Sequence, residues 1–501
     1  MDDGGTRLDI WGGLLVALYI TNCISAISLI FTRKADVGAT LAWLMVFLFL
    51  PVVGFILYFF FGSTVKYQWF YRQEPPAALT EAYSRALQNN RAQLKAGKLP
   101  LQQAVQLQYQ DIVRMNQTNA HSMYTADNQV ELLVNAQAKY ARMFEEIRAA
   151  KKSIHVFYYI IKTRDESGQQ FLRLLEEKAR EGVEVRVAYA LMGCLKARRR
   201  DFEPLKRAGG MVYSHLPTWF SSIVSVNYQM HRKMVIIDGQ VAYTGGINIG
   251  DDYLGLDKKR TPWRDTSIRL TGSSVRAVQL QFLTDWHYLD RKTAKSKAYA
   301  DKVTSPERLR SYFPEPRETG NMGVQILASG PDQEYAVIKD SYLKMINSAQ
   351  RYVYIQTPYL VPDDALIEAM RLAARSGVDV RVMIPGIPDK KFVYYITLSH
   401  VEELLKNGIR VYTHEGFLHA KTFVLDDCIA SVGSANFDLR SFHLDYELNA
   451  MVYDGAFARQ CRDTFQNDIR HSRELTLEDY RKRNWLQKIC ESFCRLVEPL
   501  A

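Results

Sequence analysis

The chain has 501 residues, enough for two or three ordinary domains, and its 64 Lys and Arg against 54 Asp and Glu give a net charge of +10. That excess favours an acidic counterpart: nucleic acid, anionic lipid or a phosphorylated substrate. The six cysteines (Cys23, Cys194, Cys428, Cys461, Cys490 and Cys494) form no CxxC pair and no Cys/His cluster of zinc-ligand spacing, which excludes a zinc site of the usual kind and suits a reducing compartment.

The N-terminus sets the class. Residues 10–32 and 37–65 contain no charged side chain, and Arg33, Lys34 and Asp36 separate them. Each run reaches the roughly 20 apolar residues that a helix needs to cross a bilayer, so residues 1–65 are predicted to form two transmembrane helices. Pro51 would kink the second, and Trp11, Tyr58, Tyr67 and Trp69 suit the interface belts. The leader holds Asp2, Asp3 and Asp9 against Arg7, which argues against a signal peptide. Arg7, Lys66 and Arg72 lie on one side and Arg33 and Lys34 on the other, a balance that puts the body in the cytoplasm.

Residues 66–126 read as a polar, Gln-rich helical connector. From there strands and helices alternate. "SIHVFYYII" (153–161) is a strand, "GQQFLRLLEEKAREG" (168–182) a helix that stops at Gly, and "VEVRVAYAL" the next strand. "RYVYIQTPYLVP" (351–362), "DDALIEAMRLAARSG" (363–377) and "VDVRVMIP" repeat the order. This predicts an α/β fold of two repeats, 127–315 and 316–475, as a pseudo-two-fold pair of mixed sheets flanked by helices. Residues 476–501 form an amphipathic tail with Trp485, Ile489, Phe493 and Leu496 on one stripe, destined for a membrane interface or for the body.

One motif occurs in both repeats. "HRKMVIIDGQVAYTGGIN" starts at His231 and "HAKTFVLDDCIASVGSAN" at His419, with Lys, Asp, a small residue and Asn at matching places. Two copies inside a longer repeat exclude coincidence. In a strand, His231 and Lys233 share a face, as do His419 and Lys421. Asp238 and Asp426 complete the motif and count with the catalytic set, but their odd spacing and strand-end position suit anchoring a turn. The small residues before Asn248 and Asn436 let backbone approach a ligand, and both Asn side chains offer N–H groups to a phosphate.

Paired His and Lys suit phosphodiester exchange. One neutral imidazole attacks phosphorus and the other serves as acid, then base. The two lysines hold non-bridging oxygens. No metal or other cofactor is required. Each imidazole needs a partner on its second nitrogen, and an acid follows each motif: Asp265 in "WRDTSIRLTG" and Glu447 in "FHLDYELNAMVYD". The aromatic run 216–228 before His231 suits either a lid or the core, and "KARRR", "KKR" and "KKFVYY" are basic patches.

With the duplicated HxKxxxxD, the paired spans, "GGINIGDDYLG", "WRDT", "TPYLVPDD", "GFLHAKTFVLDD" and "GSANFDLRSF", the chain resembles the phospholipase D superfamily and, within it, the bacterial cardiolipin synthases of the two-span type. The resemblance covers nearly the whole chain. It implies a phosphatidyl transfer between two phosphatidylglycerols that yields cardiolipin and glycerol, through a phosphohistidine on His231 with His419 as acid and base. It also implies a multi-pass protein of the bacterial inner membrane with phosphatidylglycerol and other anionic lipids as partners and no nucleic acid; homo-oligomerisation stays open. Two positions depart from the family: Ser267, where His is common, and Asp445, where Asn is common. Alternatives are a membrane hydrolase of the phospholipase D type, a transferase to another alcohol such as serine, a nuclease, and a dead scaffold. The paired spans argue against the nuclease and the two intact motifs against the scaffold.

Overall fold

Strand-forming runs in this chain leave rows of backbone donors and acceptors that only neighbouring strands can satisfy. The structure, a computed structural model, describes residues 12, 13, 16, 17, 19–21, 23, 24, 37–50, 54, 73–215, 228–293 and 306–497. The first half contains β1 (Thr125–Val134), β2 (Ser153–Tyr158), β3 (Glu184–Ala190), β4 (Met211–His215), β5 (Met234–Ile237), β6 (Val241–Gly245), β7 (Trp263–Arg264) and β8 (Thr266–Thr271). The second contains β9 (Met322–Ser329), β10 (Tyr352–Gln356), β11 (Leu360–Val361), β12 (Asp379–Pro385), β13 (Arg410–His414), β14 (Phe417–Leu418), β15 (Thr422–Leu425), β16 (Ile429–Gly433), β17 (Phe437–Asp438), β18 (Glu447–Tyr453) and β19 (Ser472–Leu475).

The strands do not form the expected pair of sheets. Fifteen of them form one sheet, in the order β19-β13-β12-β10-β15-β16-β18-β9-β1-β8-β6-β5-β2-β3-β4, and β11 pairs with β17 and β14 with β7 outside it. Counted outward from the β1–β9 contact, the two orders correspond strand for strand, with β19 added at one edge. β1 and β9 pair antiparallel through Thr125↔Val324 and Asn128↔Met322. Each would otherwise be an open edge, and pairing them removes both.

β2, β3 and β4 run parallel, as do β10, β12 and β13, and helices make the crossovers. "SIHVFY" and "YVYIQ" are buried along their whole length, as strands covered on both faces must be. The crossover helix Glu166–Arg180 is followed by Gly182 at φ 86°. Its counterpart, Asp364–Arg375, starts where the Asp363 carboxylate accepts the Leu366 N–H at 3.0 Å and gives way to Gly377 at φ 95°.

The connector holds helices Ala77–Lys95 and Gln110–Asn119 around a π-helical turn, Val105–Tyr109. It does more than connect: Leu94, Val105, Tyr109, Ile112 and Val113 lie in the core of the second half. Most of the two predicted spans lies outside the described residues. A helix covers Val37–Phe49, with Leu41, Met45, Leu48 and Phe49 exposed, and among the described residues no helix is long and apolar enough to cross a membrane. Residues 216–227 of the aromatic run before His231 also lie outside them.

The Asp of each motif opens a tight turn. Asp238 and Gly239 have φ 55° and 65°, Asp426 and Asp427 have φ 51° and 56°, and hydrogen bonds Gln240 N–H to Ile237 O and Cys428 N–H to Leu425 O close the turns. These are type I′ hairpins, whose two central residues must both tolerate a left-handed backbone. The carboxylates then reach back to the strand beside them. Asp238 accepts the N–H groups of Lys151, Lys152 and Ser153, and Asp426 those of Gln350, Arg351 and Tyr352 at 2.6, 2.9 and 2.7 Å and the Tyr109 hydroxyl at 2.8 Å. Removing one partner of a buried hydrogen bond costs about 1–3 kcal/mol. Asp426→Ala is therefore expected to lower stability by roughly 3–5 kcal/mol, read as a fall of the thermal unfolding midpoint. An unchanged midpoint together with lost activity would return Asp426 to the chemistry.

Candidate active site

Backbone pairing between the halves builds the site. Met230 bridges Tyr446, and the His231 N–H donates to the Tyr446 carbonyl at 3.0 Å. Likewise β14 pairs with β7, and the His419 N–H donates to the Arg264 carbonyl at 2.7 Å. The next residue on each partner strand is an acid, Glu447 after Tyr446 and Asp265 after Arg264. The two pairs are therefore crossed. His231 Nδ1 lies 2.8 Å from Glu447 Oε1, and His419 Nδ1 lies 2.7 Å from Asp265 Oδ2. Each imidazole takes its carboxylate from the other half.

A carboxylate only accepts, so each Nδ1 carries the proton and each Nε2 keeps its lone pair. The His231 and His419 side chains are 13% and 11% exposed, and those of Glu447 and Asp265 0% and 1%. Within each pair only the imidazole is thus open to a ligand, and both imidazoles line one cleft of about 410 Å³ between the halves. Burial pushes each imidazole down to about 4, against the pull of its carboxylate. Burial also acts to raise Glu447, but His231, Lys233 and the Ser434 hydroxyl outweigh it and hold the carboxyl at about 2. Asp265 is held below the usual carboxylate range by His419 and Lys421, again against burial.

Lys233 and Lys421 lie beneath the imidazoles, 0% and 1% exposed. Each Nζ donates to the carbonyl of its own motif's His at 2.6 Å, which leaves two N–H groups on each ammonium. Burial lowers Lys233 to about 7 and Lys421 to about 8. Asn248 and Asn436 reach the cleft wall. Asn248 is engaged on both sides, accepting the Ile160 N–H at 3.1 Å and donating to the Tyr253 hydroxyl at 2.9 Å. Asn436 Oδ1 is buried with no hydrogen-bond partner among the described residues. Asp238 and Asp426, counted in the catalytic set from the motif, are not brought to the imidazoles. They stand at the other end of their hairpin strands, roughly 20 Å away at strand rise. Among the described residues no three or more His, Cys, Asp or Glu side chains are grouped to hold a metal ion.

Residues 143–259 and 342–469 match the family described as cardiolipin synthase, PLD-like domain, and residues 20–63 match the phospholipase D-nuclease N-terminal family. The major cardiolipin synthase of Bacillus subtilis is 41% identical over 97% of this chain and 98% of its own. Cardiolipin synthase 2 of Staphylococcus epidermidis is 39% identical over 97% of both. The chain belongs to the cardiolipin synthase family. Among solved structures, the phosphatidylserine synthase of Haemophilus influenzae superposes with a TM-score of 0.58 at 18% identity, over 78% of this chain and 100% of that one, a likeness of fold.

Within this cardiolipin synthase fold, several residues around the pair escape a reading of the motif alone. The Tyr159 ring meets His231 edge-on at 4.9 Å, and Trp263 and Tyr253 flank His419 at 5.7 and 6.4 Å. The small residues of "TGGIN" and "VGSAN" make room for the protein's own groups rather than for a ligand: a Cβ on Gly246 would sit 2.1 Å from Asp265 Oδ1. Ser434, at the equivalent place, instead donates to Glu447 Oε2 at 2.5 Å. Of the two family departures, Ser267 is buried in the sheet against Gly245, while Asp445 lines the cleft and faces Arg440 Nε at 3.3 Å. Burial raises the Asp445 carboxyl to about 7, against Arg440.

Proposed function

We propose that the chain transfers a phosphatidyl group from one phosphatidylglycerol to another, giving cardiolipin and glycerol. The observation that carries this reading is the pair of imidazoles in one cleft, each oriented through Nδ1 by an acid of the opposite half. His231 Nε2 attacks phosphorus, and the glyceryl oxygen leaves with a proton from His419. The product is a phosphatidyl-histidine. His419, now neutral, removes a proton from the glycerol hydroxyl of the second lipid, which attacks phosphorus and frees His231. Lys233 and Lys421, with Asn248 and Asn436, bind the non-bridging oxygens, and the ammonium charge offsets what gathers there in each transition state. An anionic phosphodiester in the cleft raises the affinity of the second imidazole for the proton it must hold.

We infer that residues 1–65 anchor this body in a bacterial inner membrane as two transmembrane helices. The two charge-free runs support this, and the three-to-two balance of flanking cations supports a cytoplasmic body. We further propose that residues 66–126 serve as the connector, 127–315 and 316–475 as the two repeats and 476–501 as the tail.

The purified full chain, incubated in detergent with phosphatidylglycerol, is expected to release cardiolipin and glycerol in equal amounts by mass spectrometry. Phosphatidic acid in place of cardiolipin would replace transfer by hydrolysis. Cardiolipin formation undiminished in the His231→Ala, His419→Ala double variant would remove the site.

A further inference from the structure

The last helix, Trp485–Val497, is built the wrong way round for water. Its inward stripe is Gln487, Glu491 and Cys494, with Glu491 4% exposed and paired with Arg483. Its outward stripe is Trp485, Leu486, Ile489 and Phe493, which are 67, 52, 55 and 63% exposed. A helix resting on a soluble body turns its apolar stripe inward. Here the body takes the polar side, and the apolar side is left for another phase.

Two further features say which phase. Arg481, Lys482, Arg483, Lys488 and Arg495 stand against the single acid Glu491 over 481–497. Glu491 is neutralised inside, while Arg481, Lys482, Lys488 and Arg495 are exposed, Lys482 beside Glu478 at 2.7 Å and Arg495 beside Glu403 at 3.5 Å. On a helical wheel Lys488 and Arg495 lie together along one edge of the apolar stripe, where they can reach the headgroups of an anionic bilayer. The helix is also continuous with the cleft. Cys494 packs on Val361 and Ile396, and both of these line the cleft with Val393 and Lys390. Exposed Lys391 and Phe392 extend the same basic and apolar rim.

We propose that the helix Trp485–Val497 lies in the surface of an anionic bilayer and holds the mouth of the cleft against it, so that lipid enters without crossing water. A body tethered only through its N-terminus would be free to turn. A second contact, packed on the cleft wall, fixes which side faces the lipid.

The test uses the full chain in phosphatidylglycerol vesicles whose acyl chains carry bromine near the glycerol. Quenching is expected in the part of the tryptophan emission that disappears in Trp485→Phe. The Ile489→Glu, Phe493→Glu double variant is expected to lose about tenfold or more of its activity on lipid in vesicles. It should keep its thermal midpoint and its activity on a short-chain phosphatidylglycerol dissolved below its micelle concentration. Absence of Trp485 quenching overturns the proposal, and so does equal loss on both substrates, which marks a structural role. A dimer that falls to monomer in the double variant, with Trp485 unquenched, also overturns it and makes a second copy the occupant. The kinetic arm rests on the proposed function; the quenching arm does not, so failure of the two is distinguishable.

Discussion

Turnover is expected to fall by about 10⁴–10⁶-fold in both His231→Ala and His419→Ala, because nucleophile and proton shuttle act as one unit and neither works alone. The two losses differ in kind. With His419→Ala the nucleophile remains, its Nδ1–H still held by Glu447 at 2.8 Å. Lipid carrying a labelled acyl chain should then appear, slowly, on the peptide that contains His231. With His231→Ala no label should be held, although His419 keeps its own carboxylate at 2.7 Å. Acid lability and base stability of the adduct would identify a phosphorus–nitrogen bond. The near-symmetry of the pair makes the reverse result meaningful: label on His419 in His231→Ala would exchange the two roles. Turnover at the unmodified rate in either variant would end the double-displacement reading.

Glu447→Gln and Asp265→Asn are each expected to cost about 10²–10⁴-fold in kcat while the fold persists, since an amide still accepts from Nδ1–H but no longer stabilises a charged ring. The crossed pairing predicts which step each one damages. Glu447→Gln acts on His231 and should slow formation of the covalent adduct. Asp265→Asn acts on His419, which is acid in the first step and base in the second, and should slow both formation and discharge of the adduct. Single-turnover kinetics with labelled lipid separate the two. If Glu447→Gln left adduct formation unchanged and slowed discharge alone, either the assignment of steps or the pairing would be wrong; the alanine variants decide which.

The same pairs make stability fall on the acid side. The Glu447 carboxyl is held at about 2 against an ordinary 4.5. A lowered carboxylate contributes stability above its ordinary value and loses it as pH falls towards the folded one. The imidazoles are lowered from 6.5 to about 4 by burial, so the unfolded chain binds more protons between those values, and stability falls as pH drops through that window. The thermal midpoint is thus expected to decline from pH 6.5 downward, and in Glu447→Gln the further loss below pH 4.5 should be smaller, since Asp265 still contributes to it.

Much of this protein is legible in its one-dimensional pattern. The duplicated motif singles out His231, Lys233, His419 and Lys421 as candidates because the proposed nucleophile, acid and oxyanion partners must be of chemically suitable kinds, and residue kind is what a sequence displays. The alternation of "SIHVFY" with an amphipathic helix, repeated at "YVYIQ", reads as an α/β repeat because strand and helix have different periods. Even the role of Asp238 and Asp426 as turn-formers follows from an odd spacing along a strand.

Other features depend on contacts between residues far apart in the chain, which no local pattern encodes. Asp265 and Glu447 are visible as acids, but their crossing is decided by β7 pairing with β14 and Met230 with Tyr446, hydrogen bonds across 154 and 216 residues of chain. The single sheet, in place of two, follows from the edges β1 and β9 satisfying each other. The small residues before Asn248 and Asn436 look like ligand-facing positions until Asp265 and Asn449 are seen to occupy the space beside them. The tail shows the same division. Its sequence determines an amphipathic helix; only the tertiary structure, by burying Glu491 and Cys494 against the cleft wall, decides that the apolar stripe faces outward.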